Sequence, residues 1–210
     1  MKRFEIITEA DARVLDVGET VELQRGGHVT PLAADTLKAR RITVLSDDRL
    51  ASETDDLAPV ADIKRVSIGS DHSGLALKAA ITQALRGRGI AVNDLGTLTV
   101  EPVDYPDTAA RVAKSVARGE ADAGIVIDGA GIGSSIAANK VRGVRAAVCH
   151  DTTMARYARQ HNGANVLSLG ATIVSPKDAL DVVDVWLNTP MKEARYIRRL
   201  AKIKALEDQG

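Results

Sequence analysis

Aromatic side chains are scarce, at 2% of 210 residues: one Trp, three Tyr and one Phe. Packing therefore falls to Ala, Val, Ile and Leu, which suits buried strands alternating with helices better than a β-sandwich. Cysteine is limited to one residue, Cys149. That excludes an internal disulfide and any cysteine-based zinc set, and it fits a reducing compartment. Neither sign of charge is in excess, with 28 Lys and Arg against 28 Asp and Glu, so nothing in bulk draws the chain to nucleic acid or a membrane surface. No run approaches the ~18 apolar residues of a membrane span. The opening MKRFEIITEADARVL lacks the apolar stretch of a secretory leader. These absences predict a soluble, cytoplasmic protein without nucleic-acid or membrane partners. What is present is 45% hydrophobic, over a length that suffices for one good core and a small extra module.

Residues 45–62, LSDDRLASETDDLAPVAD, are rich in Asp, Ser and Thr, nearly aperiodic, and carry a Pro, as a linker would. They divide a small module with its linker, 1–60, from a larger domain, 61–210. The larger part alternates. Strands are predicted at 64–70, 90–96, 123–127, 143–149 and 165–170, and helices at 74–89, 107–120, from Ser134 onward, and at 152–162, 175–188 and 192–208. Alternation of this kind implies parallel pairing: a three-layer, Rossmann-like α/β fold with an open parallel sheet of about five strands. The first 45 residues predict a small α+β extension. It would hold a short strand, a turn at Gly26-Gly27, a helix capped by Thr30 with Pro31 in its first turn, and a strand at 42–45.

In such sheets ligands bind beyond the carboxyl ends of the strands. Asp71-His72 follows the first strand of the large domain, Asp128 and its glycines follow the third, and His150-Asp151 follows the fourth. His161-Asn162 closes the next helix, and the three histidines are expected on one rim. The turn DGAGIG leads into a helix, so its backbone N–H groups form an anion-binding nest. A carboxylate at the mouth of that nest is a poor neighbour for a phosphate. It is a sensible neighbour for a carbon acid, because Asp128 can take a proton from carbon while N–H groups hold the oxyanion that forms. Phosphate then needs other cations. Arg195 and Arg199, four apart, share one helix face.

The stretches GSDHSGLALK, DYPD (104–107), GIVIDGAGIGSSIAANKVRGVRAAVCHD and ARQHNGANVLSLGATIV resemble ribose-5-phosphate isomerase B and the related galactose-6-phosphate isomerase subunits. The resemblance runs in unbroken order from about Lys64 to Leu206 and includes R-x-x-x-R as Arg195 and Arg199. It implies an isomerase that interconverts small aldose and ketose phosphates, of the ribose 5-phosphate/ribulose 5-phosphate type, through a cis-enediolate, with no metal or cofactor. It implies that His161 opens the sugar ring with help from Asp71. His72, Arg195 and Arg199 would hold the phosphate, Tyr105 would line the pocket, and Asn162 would bind a sugar hydroxyl. The nest would comprise Gly129, Ala130, Gly131, Ile132 and Gly133. It further implies a homodimer or homotetramer with the site shared between subunits.

The chain departs from that pattern at the base. Many members have Cys in a CGTGIG motif where this chain has Asp128, and others have Glu at the position of Ser134. Asp128 also stands in the galactose-6-phosphate isomerase subunits, so it is the expected base. An ordinary aspartate is ionised at neutral pH, and a carboxylate serves as base in triosephosphate isomerase. Ala130 replaces the Thr of CGTG. A four- or six-carbon sugar phosphate is the alternative substrate. A non-catalytic sugar-phosphate binder is the competing class, against which stands the joint presence of His72, His161, Asn162, Arg195 and Arg199. The N-terminal stretches ITEADAR and GGHVTPLAADTLKARRITV are similar to a segment attached to some enzymes of bacterial microcompartment operons, which implies a catabolic role.

Overall fold

The computed structural model describes residues 2–46, 57–191 and 193–207. It divides into two compact units, residues 1–56 and 57–210. The central linker residues 47–56 lie outside the described residues.

The first unit alternates strand and helix: β1 (Arg3–Ile7), α1 (Glu9–Val14), β2 (Thr20–Val29), α2 (Pro31–Ala39) and β3 (Thr43–Ser46). Its sheet has the order β1-β2-β3, and both pairings are parallel. The extension expected as α+β thus winds β-α-β-α-β. The predicted turn at Gly26-Gly27 is not one, because β2 runs through it. Opposite, the register jumps from Phe4↔Leu23 to Ile6↔His28, so the extra residues are absorbed as a bulge and the chain does not reverse. Ile7, Ala12, Leu15, Val21, Leu23, Ala33, Leu37 and Ile42 form the unit's own core. Thr8 and Asp11 form a capping box on α1.

The second unit contains β4 (Arg65–Ser70), a 3₁₀ turn (His72–Gly74), α3 (Leu75–Gly87), β5 (Ala91–Asp94), α4 (Tyr105–Ala117) and β6 (Ala123–Asp128). There follow α5 (Ile132–Ala138), β7 (Ala146–Val148), α6 (Thr152–Gln160), β8 (Val166–Gly170), α7 (Pro176–Asn188) and α8 (Ala194–Glu207). The five strands are all parallel in the order β5-β4-β6-β8-β7. All six residues of β6 and all five of β8 are buried, as apolar runs sandwiched between helices require. On one face α3, α6 and α7 pack through Leu77, Ile81, Leu85, Ala155, Ala158, Val182 and Trp186. On the other, α4 and α5 pack through Ala109, Val112, Ala113 and Ala138.

From β4 the chain steps outward to β5 and then returns to the other side of β4 as β6. The topological switch point therefore lies between the carboxyl ends of β4 and β6, where Asp71 and Asp128 stand. The loop that joins β5 to α4 is fixed from beneath. Lys78 on α3 is buried, and its Nζ donates to Asp94 Oδ1 at 2.8 Å and to the Thr97 carbonyl at 2.6 Å. Asp94 Oδ1 also accepts from Gly96 N–H at 3.0 Å.

Charge-assisted bonds of this kind contribute roughly 1.5–3 kcal/mol each. Lys78→Met keeps the stem and removes both bonds, and is expected to cost about 3 kcal/mol in urea unfolding. A variant within about 0.5 kcal/mol of the parent would show that the ammonium does not fasten this loop.

Candidate active site

At the switch point the backbone of Asp71 is tied to the neighbouring strand, its N–H donating to the Ile127 carbonyl at 3.1 Å. The Asp71 side chain caps the 3₁₀ turn. Its Oδ1 accepts from Ser73 N–H at 2.9 Å, Ser73 Oγ at 2.6 Å and Gly74 N–H at 3.3 Å. His72 stays exposed, and its Nδ1 accepts from Val103 N–H at 3.4 Å. Tyr105 opens α4, and its ring lies directly over Gly133. A Cβ there would stand 2.5 Å from the ring, so only glycine lets the two meet.

Asp128 answers the question its position poses. It is buried, 5% exposed, and its carboxylate turns into the nest. Oδ1 accepts from Ala130 N–H at 2.9 Å and from Gly131 N–H, and Oδ2 accepts from Ser134 N–H at 2.7 Å. Gly131 adopts φ +79° to turn these donors inward, a conformation costly for other residues. Side chains from neighbouring strands hold the outside of the turn. Ser168 Oγ donates to the Gly131 carbonyl at 2.5 Å, Thr172 Oγ1 donates to the Gly129 carbonyl at 2.7 Å, and His150 Nε2 lies 3.1 Å from the Ala130 carbonyl. Two N–H groups of the Gly129–Gly133 nest, those of Ala130 and Gly131, thus serve Asp128, together with Ser134 N–H from the first turn of α5. The N–H groups of Ile132 and Gly133 have no acceptor among the described residues.

His161 is not on this rim, which corrects the expectation of three converging histidines. It caps the carboxyl end of α6, a nine-residue helix of about 14 Å that carries the chain back to the opposite edge of the sheet. Its loop returns there: Asn165 Oδ1 accepts from Arg145 N–H at 2.8 Å, just before β7 begins. The His161 ring lies between two tyrosines, 4.7 Å from Tyr157 at 14° and 4.5 Å from Tyr196 at 30°. Arg195 and Arg199 share one face, as their spacing predicts, with guanidinium carbons 4.8 and 5.7 Å from the centre of the Tyr196 ring. Arg195 also bonds Tyr196 Oη at 2.9 Å and pairs with Glu193 at 2.6 Å. Asn162 Nδ2 donates to the Tyr157 carbonyl at 3.1 Å.

The expected site residues thus form two groups. Asp71, His72, Tyr105, Asp128 and the glycine turn stand at the carboxyl edge of the sheet. His161, Asn162, Arg195 and Arg199 cluster beyond the amino edge. Sequence reasoning overlooked Ser73, Ser168, Thr172, Tyr157 and Tyr196. Of these, Tyr157 carried a readable signal, four residues before His161 on a helix. A cleft of about 470 Å³, lined partly by Asn139, Arg145, Asn162 and Glu207, contains neither Asp128 nor His161, so concavity does not mark the chemistry. Among the described residues no group of three or more His, Cys, Asp or Glu could hold a metal ion, and no helix is long and apolar enough to cross a membrane.

The sequence profile of the Ribose/Galactose Isomerase family matches residues 66–203. Ribose-5-phosphate isomerase B of Escherichia coli is 44% identical over 147 residues, which is 70% of this chain and 99% of that protein. D-erythrulose-4-phosphate isomerase of Pectobacterium atrosepticum is 38% identical over 145 residues, covering 69% and 95%. The structure of ribose-5-phosphate isomerase B from Clostridium thermocellum superposes with a TM-score of 0.68 at 50% identity, over 69% of this chain and 98% of that one. The chain belongs to the ribose/galactose isomerase family. It is a sugar-phosphate isomerase of the aldose–ketose class.

The single thiol stands apart from this chemistry. Cys149, at the end of β7, is fully buried, and burial followed by the nearby Asp151 carboxylate pushes it up to about 12. The reactive species is the thiolate. Iodoacetamide at pH 8 should therefore leave both the native protein and its activity untouched, with labelling appearing only in denaturant. Rapid native alkylation accompanied by inactivation would place a thiol in the site.

Proposed function

We propose that this protein interconverts ribose 5-phosphate and ribulose 5-phosphate through a cis-enediolate, with Asp128 as the base and the site shared between two copies of the chain. What supports the substrate is the 44% identity with ribose-5-phosphate isomerase B over nearly the whole of that relative, with His72, Tyr105, His161, Asn162, Arg195 and Arg199 in place. The bound carboxylate supports the role of Asp128. Oδ1 accepts two N–H groups, whereas Oδ2 accepts one and keeps a lone pair. That lone pair takes the proton from C2 of the open-chain aldose. The C2–H electrons form the C1=C2 bond, and the carbonyl pair moves onto O1 as the enediolate oxygen. The N–H groups of Ile132 and Gly133 are the donors available to that oxygen. The C2 hydroxyl then gives its proton to O1, which becomes the C1 hydroxyl, the C2–O pair closes to the ketose carbonyl, and the C1=C2 electrons take the proton back from Asp128 at C1.

His161 opens the furanose ring in this reading with help from Asp71, Asn162 holds a sugar hydroxyl, and His72, Arg195 and Arg199 receive the phosphate. One chain holds these groups on opposite edges of its sheet, so a second chain brings its His161 and arginines to the Asp128 of the first. Exposed Ile132, Ile136, Met154 and Tyr157 on α5 and α6 offer apolar surface for that contact, at 56%, 59%, 42% and 50% exposure.

Asp128→Asn keeps the shape and removes the basic oxygen. Turnover should fall by about 10²–10⁴-fold, as for the loss of a positioned proton acceptor, with KM nearly unchanged. Near-normal turnover would assign the proton to another group. A panel of ribose 5-phosphate with four- and six-carbon analogues identifies the sugar, and a four-carbon preference would shift the reading toward the erythrulose 4-phosphate relative. Sharing has its own test. Asp128→Asn and His161→Ala chains, each inactive alone, should recover about one quarter of parental activity when mixed and reassembled, since half the dimers are mixed and each carries one intact site. No recovery despite confirmed subunit exchange would place a complete site within one chain.

A further inference from the structure

Residues Leu57–Val60 precede the stretch matched by the family, which begins at residue 66. They nevertheless belong to the second unit. Two arginines reach them, and each also grips the loop that carries His161 and Asn162. Arg145 Nε donates to the Gly163 carbonyl at 2.9 Å, and its Nη2 donates to the Leu57 carbonyl at 2.9 Å. Arg159 Nη1 donates to the Ala164 carbonyl at 2.9 Å, and its Nη2 donates to the Val60 carbonyl at 2.8 Å. Arg159 is 1% exposed, and its guanidinium lies 4.7 Å over the Trp186 ring. Burial and the neighbouring Arg145 charge push its pKa down to about 10, which leaves it cationic at neutral pH. Between these clamps Leu57 is buried, and Pro59 Cδ and Leu200 Cδ1 close over Gly163 at 3.4 and 2.6 Å from where a Cβ would stand. Leu200 lies on α8, the helix of Arg195 and Arg199.

We infer that Leu57–Val60 acts as a strap that positions the His161–Ala164 loop, with Arg145 and Arg159 as positioning residues that fasten the strap to the loop. The physical reason is the distribution of donors. Each guanidinium is forked, so one arm satisfies a loop carbonyl while the other satisfies a strap carbonyl. Removing the strap frees one arm of each, one of them deeply buried, and uncovers Leu200 and Gly163. An unpaired buried donor is costly, so the arginines would shift to find other partners and the loop carbonyls would lose their fixed geometry. The His161 ring follows, because among the described residues it is held by its place at the end of α6 and by stacking on Tyr157 and Tyr196. The catalytic consequence rests on the proposed role of His161, whereas the bracing does not.

The test replaces Leu57–Val60 by Gly-Ser-Gly-Ser in the full chain, which leaves the two backbone carbonyls but removes the Leu57 and Pro59 side chains that seat them under the arginines. Amide hydrogen exchange in the 161–165 loop should rise about tenfold or more, while amides of β6 keep parental protection. On ribose 5-phosphate kcat should fall about tenfold, with KM within about threefold, since a displaced catalytic group costs turnover more than phosphate binding. The conservative pair Leu57→Met and Val60→Ile, with Pro59 in place, keeps the apolar anchoring that seats those carbonyls and should show parental exchange and kcat. If the replacement does not fold, Leu57→Ala with Pro59→Gly puts the same question more gently. Unchanged loop exchange, or equal loss of protection in the loop and β6, overturns the strap. If the parent does not turn over ribose 5-phosphate, the substrate reading fails while the exchange result still decides the bracing.

Discussion

The arrangement of this site follows from one constraint. In a sheet of parallel strands, each helix must carry the chain back across the sheet before the next strand can begin. Whatever a strand delivers at its carboxyl end, the following helix delivers at the other edge. Asp71 and Asp128 end strands, whereas His161 ends a helix, so the fold separates them by the length of α6. No rotamer change closes such a gap. The same constraint places one group of residues at the carboxyl edge and the other beyond the amino edge of every copy, which is what the proposed sharing of the site between two copies requires. A symmetric pair then presents each half to its complement twice.

Within the carboxyl-edge half, Asp128 is best understood by charge. Three N–H donors at the start of α5 would draw in an anion, and the chain provides one covalently. The carboxylate is thereby held in one orientation, and the turn is fixed by the carboxylate in return, with Ser168 and Thr172 securing the outer carbonyls. A phosphate in the turn would have to displace this internal anion, which is why the proposed reading assigns phosphate to Arg195 and Arg199, with His72. Arg195 and Arg199 stand at the other edge over the Tyr196 face, and Arg195 is paired with Glu193. The carboxylate and the arginine pair thus stand at opposite edges of the sheet.

Much of the second unit was legible because its signals are redundant. β4, β6 and β8 are apolar runs of strand length, Ser175 and Pro176 mark the start of α7, and the Arg195/Arg199 spacing places both on one face. The first unit was less so. β1 exposes three of its five residues and α1 has only six, so neither shows a clean period, and the glycine pair in β2 imitates a turn where the structure makes a bulge. The histidine rim was misjudged by grouping residues near predicted loops without asking which edge each loop occupies. The direction of the Asp128 carboxylate was not legible at all, since it depends on φ at Gly131 and on N–H groups that every sequence possesses. Nor were the Arg145 and Arg159 clamps, whose partners are backbone carbonyls 88 and 99 residues away.

Those clamps show why the stretch before β4 is more than a tether. A loop bearing a reactive side chain at the end of a helix has few intrinsic restraints, because the last carbonyls of any helix lack intrahelical partners. Here Gly163 N–H closes onto the Arg159 carbonyl at 3.1 Å, and Ala164 N–H onto the Ala158 carbonyl at 2.9 Å, which ends α6 but leaves the carbonyls of the loop itself outstanding. Arg145 and Arg159 supply those missing donors from within the fold, and the strap occupies the donors' other arms. Burial makes the arrangement exacting. A guanidinium at 1% exposure cannot fall back on water, so its geometry, and with it the loop's, is set by how many protein carbonyls surround it. The chain segment that enters the second unit is therefore one of the surfaces against which the His161 loop is held.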